Sequence, residues 1–262
     1  MKNKAGSQRF LDENQINNTL KAELARQFLV GPNGNVVVIA SETDAFASER
    51  SIAFTEIVLK QILPLGNPVQ IATKFSVPKT SIQMLSQGAT HREQVVVYVS
   101  ISSVIRWRDL EPGAASVETR FSNFSMLRER GVLSCLLVKP VLFFGRADID
   151  ALLHLLEKQE PDFICLGATY RKRQGRYGHP TEPGYFSNGI SEQATKLAEE
   201  LRSRTGIKVF HNASCVIAHA NGSLPTSKIW ADFPHLCVKC MDCERLYQES
   251  TETTRIQFYG HG

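Results

Sequence analysis

The sequence has no run of about 18 or more apolar residues, the least that would cross a bilayer as a helix, so a transmembrane span is not expected. Its opening stretch, MKNKAGSQRFLDENQ, carries charge but no apolar run behind it, which excludes a secretory signal. Charge of one sign is scarce in excess: 30 Lys+Arg against 26 Asp+Glu leave +4 over 262 residues, too little to indicate a nucleic-acid partner by itself. Low-complexity segments, short-period repeats, heptads and Gly-X-Y runs are also missing, so coiled-coil and collagen-like architectures are excluded. What is present is ordinary for a globular chain, with 42% hydrophobic and 21% charged residues. Such a chain can bury a substantial core. A cytoplasmic location is the expectation.

Apolar, β-branched runs recur along the chain at NVVVIAS (35–41), PVQIATKF (68–75), QVVVYVSIS (94–102), SCLLVKPVLFF (134–144), DFICLGATY (162–170) and IKVFHNASCVIA (207–218). They are nearly continuous, as parallel strands covered on both faces should be. Helical stripes lie among them: Ile149, Leu152, Leu153 and Leu156, then Ile190, Ala194, Leu197, Ala198 and Leu201, and an opening helix through Ile16, Leu20, Leu24 and Phe28. Strand and helix alternating at roughly 30-residue intervals indicate βαβ units. Six strands fall short of the eight of a closed barrel. The fold class expected is therefore α/β, an incomplete parallel β/α barrel with an irregular Cys-rich C-terminal tail. The expected division is an N-terminal helical segment (1–34), the partial barrel (35–210) and the tail (211–262).

Ligands of parallel α/β folds bind outside the carboxyl ends of the strands. There the sequence places Thr43 and Asp44, then Thr73 and Lys74, then Ser100, Ser102 and Ser103. Thr43 and Asp44 could equally cap the next helix. Lys139 falls inside an apolar run, a costly place for an ammonium without a cavity or partner. Arg171, Lys172, Arg173 and Arg176, bracketed by Tyr170 and Tyr177, form a basic loop suited to an anionic group. Six cysteines are present. Cys135 and Cys165 sit in apolar runs and read as small core residues. Cys237, Cys240 and Cys243 are packed into CVKCMDC, with Cys215 upstream and His211 as a weaker alternative ligand. Closely spaced soft thiolates suit an iron–sulfur cluster or zinc, and both remain open.

These motifs carry a resemblance. VVVIASETDAFASERSIAFTEIVLKQI resembles the second strand and helix of radical S-adenosylmethionine enzymes, closest to the spore-photoproduct-lyase-like branch. PVQIATKF is similar to the next strand of that branch. VSISS, LEPGAAS, Arg120, LRERGV and the strand reaching Lys139-Pro140 continue the pattern in order, over roughly residues 15–170. The family's CxxxCxxC loop, which holds a 4Fe–4S cluster, has no counterpart here. By this resemblance the chain would be expected to begin just after the point where that loop ends.

The resemblance implies a radical S-adenosylmethionine-type iron–sulfur protein, one subunit of a split enzyme whose 5′-deoxyadenosyl radical abstracts hydrogen. It implies Thr43, Asp44, Lys74, Ser100, Ser102 and Arg120 at S-adenosylmethionine, the serines toward its ribose and Lys74 and Arg120 toward its carboxylate. Lys139 would be the catalytic residue beside the substrate. The expected metal ligands are Cys215, Cys237, Cys240 and Cys243. A second polypeptide carrying the cluster loop, or a second copy of the chain, is the expected partner. The competing expectation is a noncatalytic binding platform with a structural zinc or iron–sulfur site.

Overall fold

A computed structural model describes residues 12–25, 28–40, 43–141, 145–167, 192–225, 231 and 240–250. The basic loop at 171–176, Ile190 and Cys237 lie outside the described residues. Helix α1 (Glu13–Leu24) leads into β1 (Val37–Ile39), α2 (Glu49–Ile62), β2 (Val69–Thr73), α3 (Lys79–Gly88) and β3 (Val95–Ile101). Then come α4 (Trp107–Leu110), α5 (Val117–Glu129), β4 (Leu133–Val138), α6 (Arg146–Lys158) and β5 (Phe163–Leu166). The chain continues through α7 (Glu192–Thr205), β6 (Lys208–Phe210), α8 (Ala213–Ala220) and α9 (Cys243–Glu249). Among the described residues no helix is long and apolar enough to cross a membrane.

The strands form one open sheet, parallel throughout and in sequence order β1 to β6. This is the α/β class and the partial barrel that the six apolar runs predict. Every residue of β3 is buried, which explains its unbroken Val-rich sequence: both faces are covered. On the outer face Val97, Val99, Leu136 and Ile164 pack against Leu59, Phe121, Phe124, Leu152 and Leu197 of the flanking helices. Ser48 and Ser116 start α2 and α5, each hydroxyl accepting an amide of the first turn at 3.1 Å.

The inner face is covered by the chain's own C-terminal part. Tyr98, Cys135, Cys165 and Phe210 meet Val216 and Ile217 of α8 there. The Tyr98 hydroxyl donates to the carbonyl of Ala213 (2.9 Å). At the other end of α8, the Asn221 amide donates to the carbonyl of Glu93, just before β3 (3.0 Å). Helix α8 therefore runs against the strand direction across the inner face.

Two readings need correction. The run 207–218 is not one strand, because Asn212 accepts the amide of Ser214 (3.0 Å) and caps α8 after a strand of three residues. The tail is thus partly helical, its apolar residues facing the sheet. Phe28 likewise lies beyond α1, which ends at Leu24. The turn after α1 is closed by Asn67, wholly buried, whose amide donates to the carbonyls of Leu29 (2.7 Å) and Asn35 (2.9 Å) while its oxygen accepts from Gly31 (3.1 Å). Gly34 permits this turn, since a Cβ there would run into the Leu29 carbonyl.

Candidate functional site

The strand-end residues assemble around Asp44. One of its carboxylate oxygens accepts from the Thr73 hydroxyl (2.8 Å) and the Phe46 amide (3.0 Å), and the other from the Lys74 amide (2.6 Å). Asp44 thereby ties the end of β1 to the end of β2. The Lys74 carbonyl accepts from the Ala115 amide (3.1 Å), drawing in the loop after α4. Thr43, Asp44, Lys74, Phe75 and residues 111–114 line a pocket of about 370 Å³.

Glu111, which the sequence reading did not single out, is the floor of this pocket. It is 5% exposed. One oxygen meets Lys74 Nζ (3.0 Å) and the Ser102 hydroxyl (3.0 Å), and the other meets Arg120 Nη1 (2.6 Å). Burial works against ionisation of Glu111, but the hydrogen bonds and charges of Arg120 and Lys74 outweigh it and hold the carboxyl below its ordinary value. Glu111 belongs to the LEPGAAS stretch, nine residues before Arg120, but nothing in that spacing marks its side chain as buried between two cations.

Arg120 is wholly buried and also donates to the Ser100 carbonyl (2.8 Å). It stands behind Glu111 rather than at the pocket surface. Its Nε and Nη2 are buried without a hydrogen-bond partner, and its guanidinium carbon lies 5.6 Å from the centre of the Trp107 ring. Ser102 spends its hydroxyl on Glu111, and Ser100 contributes its carbonyl. Lys74, with a side chain 40% exposed, is the cation presented to the pocket.

Lys139 is not buried in a strand. β4 ends at Val138, and Lys139 is exposed. Its stem lies across Gly167, where a Cβ would come within 2.7 Å of Lys139 Cγ. The cost of burying its ammonium is thus avoided by ending the strand one residue earlier. Its charge is felt by Cys165 on the inner face.

The thiols gather on that inner face. Cys135 and Cys165 are buried among its apolar residues, and burial pushes both thiols up, Cys165 to about 12. Cys215 of α8 is hydrogen-bonded to Cys240, with Cys243 and Cys165 also in electrostatic range. That bond, together with the His211 backbone amide, makes Cys240 the acidic member of the pair and drives the Cys215 thiol upward. Burial and the nearby Arg202 lower His211 to about 4, so it is neutral, and its Nε2 is buried without a partner. Of the expected ligands Cys215 and Cys240 are in contact, with Cys243 in electrostatic range. Among the described residues no three donors converge as a metal site, and Cys237 lies outside them.

This architecture is the open parallel α/β sheet of a partial barrel, with a charged pocket at its strand ends. Its overall fold is similar to a variant of spore photoproduct lyase solved with bound AdoMet and dinucleoside spore photoproduct, with TM-score 0.50 and 13% identity over 76% of this chain and 66% of that one. SuiB from Streptococcus suis aligns with TM-score 0.46 and 10% identity over 97% of this chain and 73% of that one. The chain spans just under two thirds of the spore photoproduct lyase chains it matches. No family model matches the chain, nor does any curated protein. At such identity the likeness concerns the fold, and it is the fold of the branch that the sequence motifs resemble.

Proposed function

We propose that the protein is an iron–sulfur protein of the radical S-adenosylmethionine type, and that the strand-end pocket receives S-adenosylmethionine. One observation carries the reading. A pocket floored by a buried acid and edged by a half-exposed lysine lies where parallel α/β folds bind ligands. S-adenosylmethionine offers a carboxylate, an ammonium and a sulfonium. Lys74 would take the carboxylate, and the carboxylates of Asp44 and Glu111 would favour the cationic groups. Glu111 would also hold Lys74 in place, and Arg120 would fix Glu111 from behind.

The donor set on the inner face has the right chemistry for a soft metal site. Cys215 and Cys240 are in contact with Cys243 nearby, and Cys237 is adjacent in sequence. These thiols would hold an iron–sulfur cluster or zinc. A reduced cluster held there would supply the electron for reductive cleavage of S-adenosylmethionine to a 5′-deoxyadenosyl radical, the hydrogen-abstracting species of this reading. In this reading a second polypeptide bearing CxxxCxxC, or a second copy of the chain, completes the enzyme. Lys139, exposed at the end of β4, is then the residue nearest the substrate.

Calorimetry on the anaerobically reconstituted protein tests the cofactor site. S-adenosylmethionine should give a saturable heat that weakens at least tenfold in Lys74→Met. A silent titration at millimolar cofactor, with and without the partner, overturns the reading. A second reading, the noncatalytic platform with a structural metal, is favoured by α8 lying across the inner face, where it packs against β5 and β6. It predicts bound metal and no cofactor heat.

A further inference from the structure

β1 is an edge strand of three residues, and β2 is its one neighbour among the described residues. In a parallel ladder successive residues turn their amide and carbonyl to opposite sides. The Val37 amide donates to the Pro68 carbonyl (2.8 Å), so Val38 turns its own pair away from β2, to an edge that no described strand covers. The Val38 side chain stands on the inner face in register with Gln70. It is 53% exposed, which is rare here for a large apolar residue.

Beside this edge lies a cleft of about 470 Å³, walled by Val36, Val38 and Gln70 on one side and by Asn212 and Ser214 on the other. Its size is that of a ligand cleft. No residue lining it carries a charge; carboxamides, a hydroxyl and aliphatic side chains alternate. A phosphate or carboxylate would find no cation there. A hydrocarbon would leave the carboxamides dry, at a cost in unmade hydrogen bonds. A free nucleobase could use the carboxamides and the outward pair of Val38, but it could not run on along the edge and the Val36–Val38 wall as an extended chain does.

We propose that the β1 edge and this cleft bind an extended, uncharged stretch of polypeptide, which adds to the sheet through the amide and carbonyl of Val38. Its alternate side chains lie against Val36 and Val38, and its remaining amides meet Gln70 and Asn212. Main-chain pairing of this kind supplies affinity, and the side-chain wall supplies selectivity. The inference deepens the proposed protein partner by naming where it docks, and it needs neither cofactor nor metal. Its failure is therefore separate from failure of the cofactor site.

The test is a nuclear magnetic resonance titration of the isotope-labelled full chain with an acetylated, amidated pentapeptide alternating valine and threonine. The expected result is a saturable shift at the Val38 amide at low-millimolar peptide. Read at the Ile39 and Gln70 amides in every variant, affinity should fall about tenfold in Val38→Pro, which lacks the N–H but is tolerated at a sheet edge, and stay within a few-fold of wild type in Val38→Thr. A peptide N-methylated at alternate amides should bind no better than to Val38→Pro. Circular dichroism of each variant checks that it is folded. No saturable shift at Val38, equal binding of the methylated peptide, or displacement of the peptide by adenosine overturns the proposal.

Discussion

The strand-end rim and the thiol-lined inner face belong to the same sheet but satisfy their polar groups in opposite ways. At the rim the groups are charged and interlocked: Asp44 accepts three hydrogen bonds, and Glu111 is shared by Lys74, Ser102 and Arg120. On the inner face Cys135 and Cys165 are held as thiols and His211 is uncharged, and the one acidified group, Cys240, owes its shift chiefly to a neighbouring thiol rather than to a cation pair. A buried charge persists only with partners, whereas a thiol is nearly apolar and needs none. The rim is therefore preorganised by its own residues. The thiols meet without converging, and a metal ion would be the organising element there.

The largest effects should separate the two regions. Replacing Cys237, Cys240 and Cys243 together by Ala should remove all bound iron or zinc, read by elemental analysis of the purified protein. Unchanged metal content would show that the thiols pack and nothing more. Next in size, Glu111→Ala leaves Arg120 charged and buried without its carboxylate, at a cost of about 3–5 kcal/mol in urea unfolding. Cys165→Ala, which removes only a neutral group, should cost about 1 kcal/mol. Equal losses would erase the contrast between an ionic rim and an apolar face.

A smaller effect is expected with pH. The carboxyl of Glu111 is held below its ordinary value in the folded protein, with burial opposing and Arg120 and Lys74 prevailing. Its contribution to stability is therefore present above the ordinary carboxylate range and fades as pH falls through the depressed value. Denaturation midpoints of Glu111→Gln should show a shallower acid limb than those of the wild type. An unchanged limb would place the acid sensitivity elsewhere.

The order of elements was legible because each β-branched run was long enough to stand out against its helices. The pocket was legible in part. Thr43, Asp44 and Lys74 could be placed at strand ends from the positions where apolar runs stop, and they do line one pocket. Glu111 was not legible, because its importance comes from two cations distant in sequence that fold converges upon it. Arg120 was marked by a motif, yet sequence spacing carries no depth, and the chain puts it behind Glu111. Lys139 was read inside the apolar run 134–144, but the strand stops at Val138 and leaves Lys139 exposed just beyond it. The 207–218 run misled for another reason: α8 lies against the sheet, so its apolar residues mimic a strand's. Asn67, with three backbone bonds, and Asn123, with two, are both wholly buried and hold turns that no periodicity encodes.

Lys74 gives the smallest effect on stability and the sharpest test of what the rim is for. Its pair with Glu111 is made at 3.0 Å, but its side chain is 40% exposed, so water screens the attraction and the pair contributes about 0–1 kcal/mol. Lys74→Met keeps most of the aliphatic stem and removes the charge. Glu111 retains Arg120 and Ser102, so the variant should unfold within about 1 kcal/mol of the wild type. Arg120→Ala, by contrast, would confuse lost binding with lost folding. If Lys74→Met folds normally and loses S-adenosylmethionine affinity, the rim is a binding site whose exposed cation does the recognition while its buried ion pair does the holding. If Lys74→Met folds normally and binds as tightly as the wild type, the rim's charges serve the fold alone. The cofactor site must then be sought beyond these strand ends.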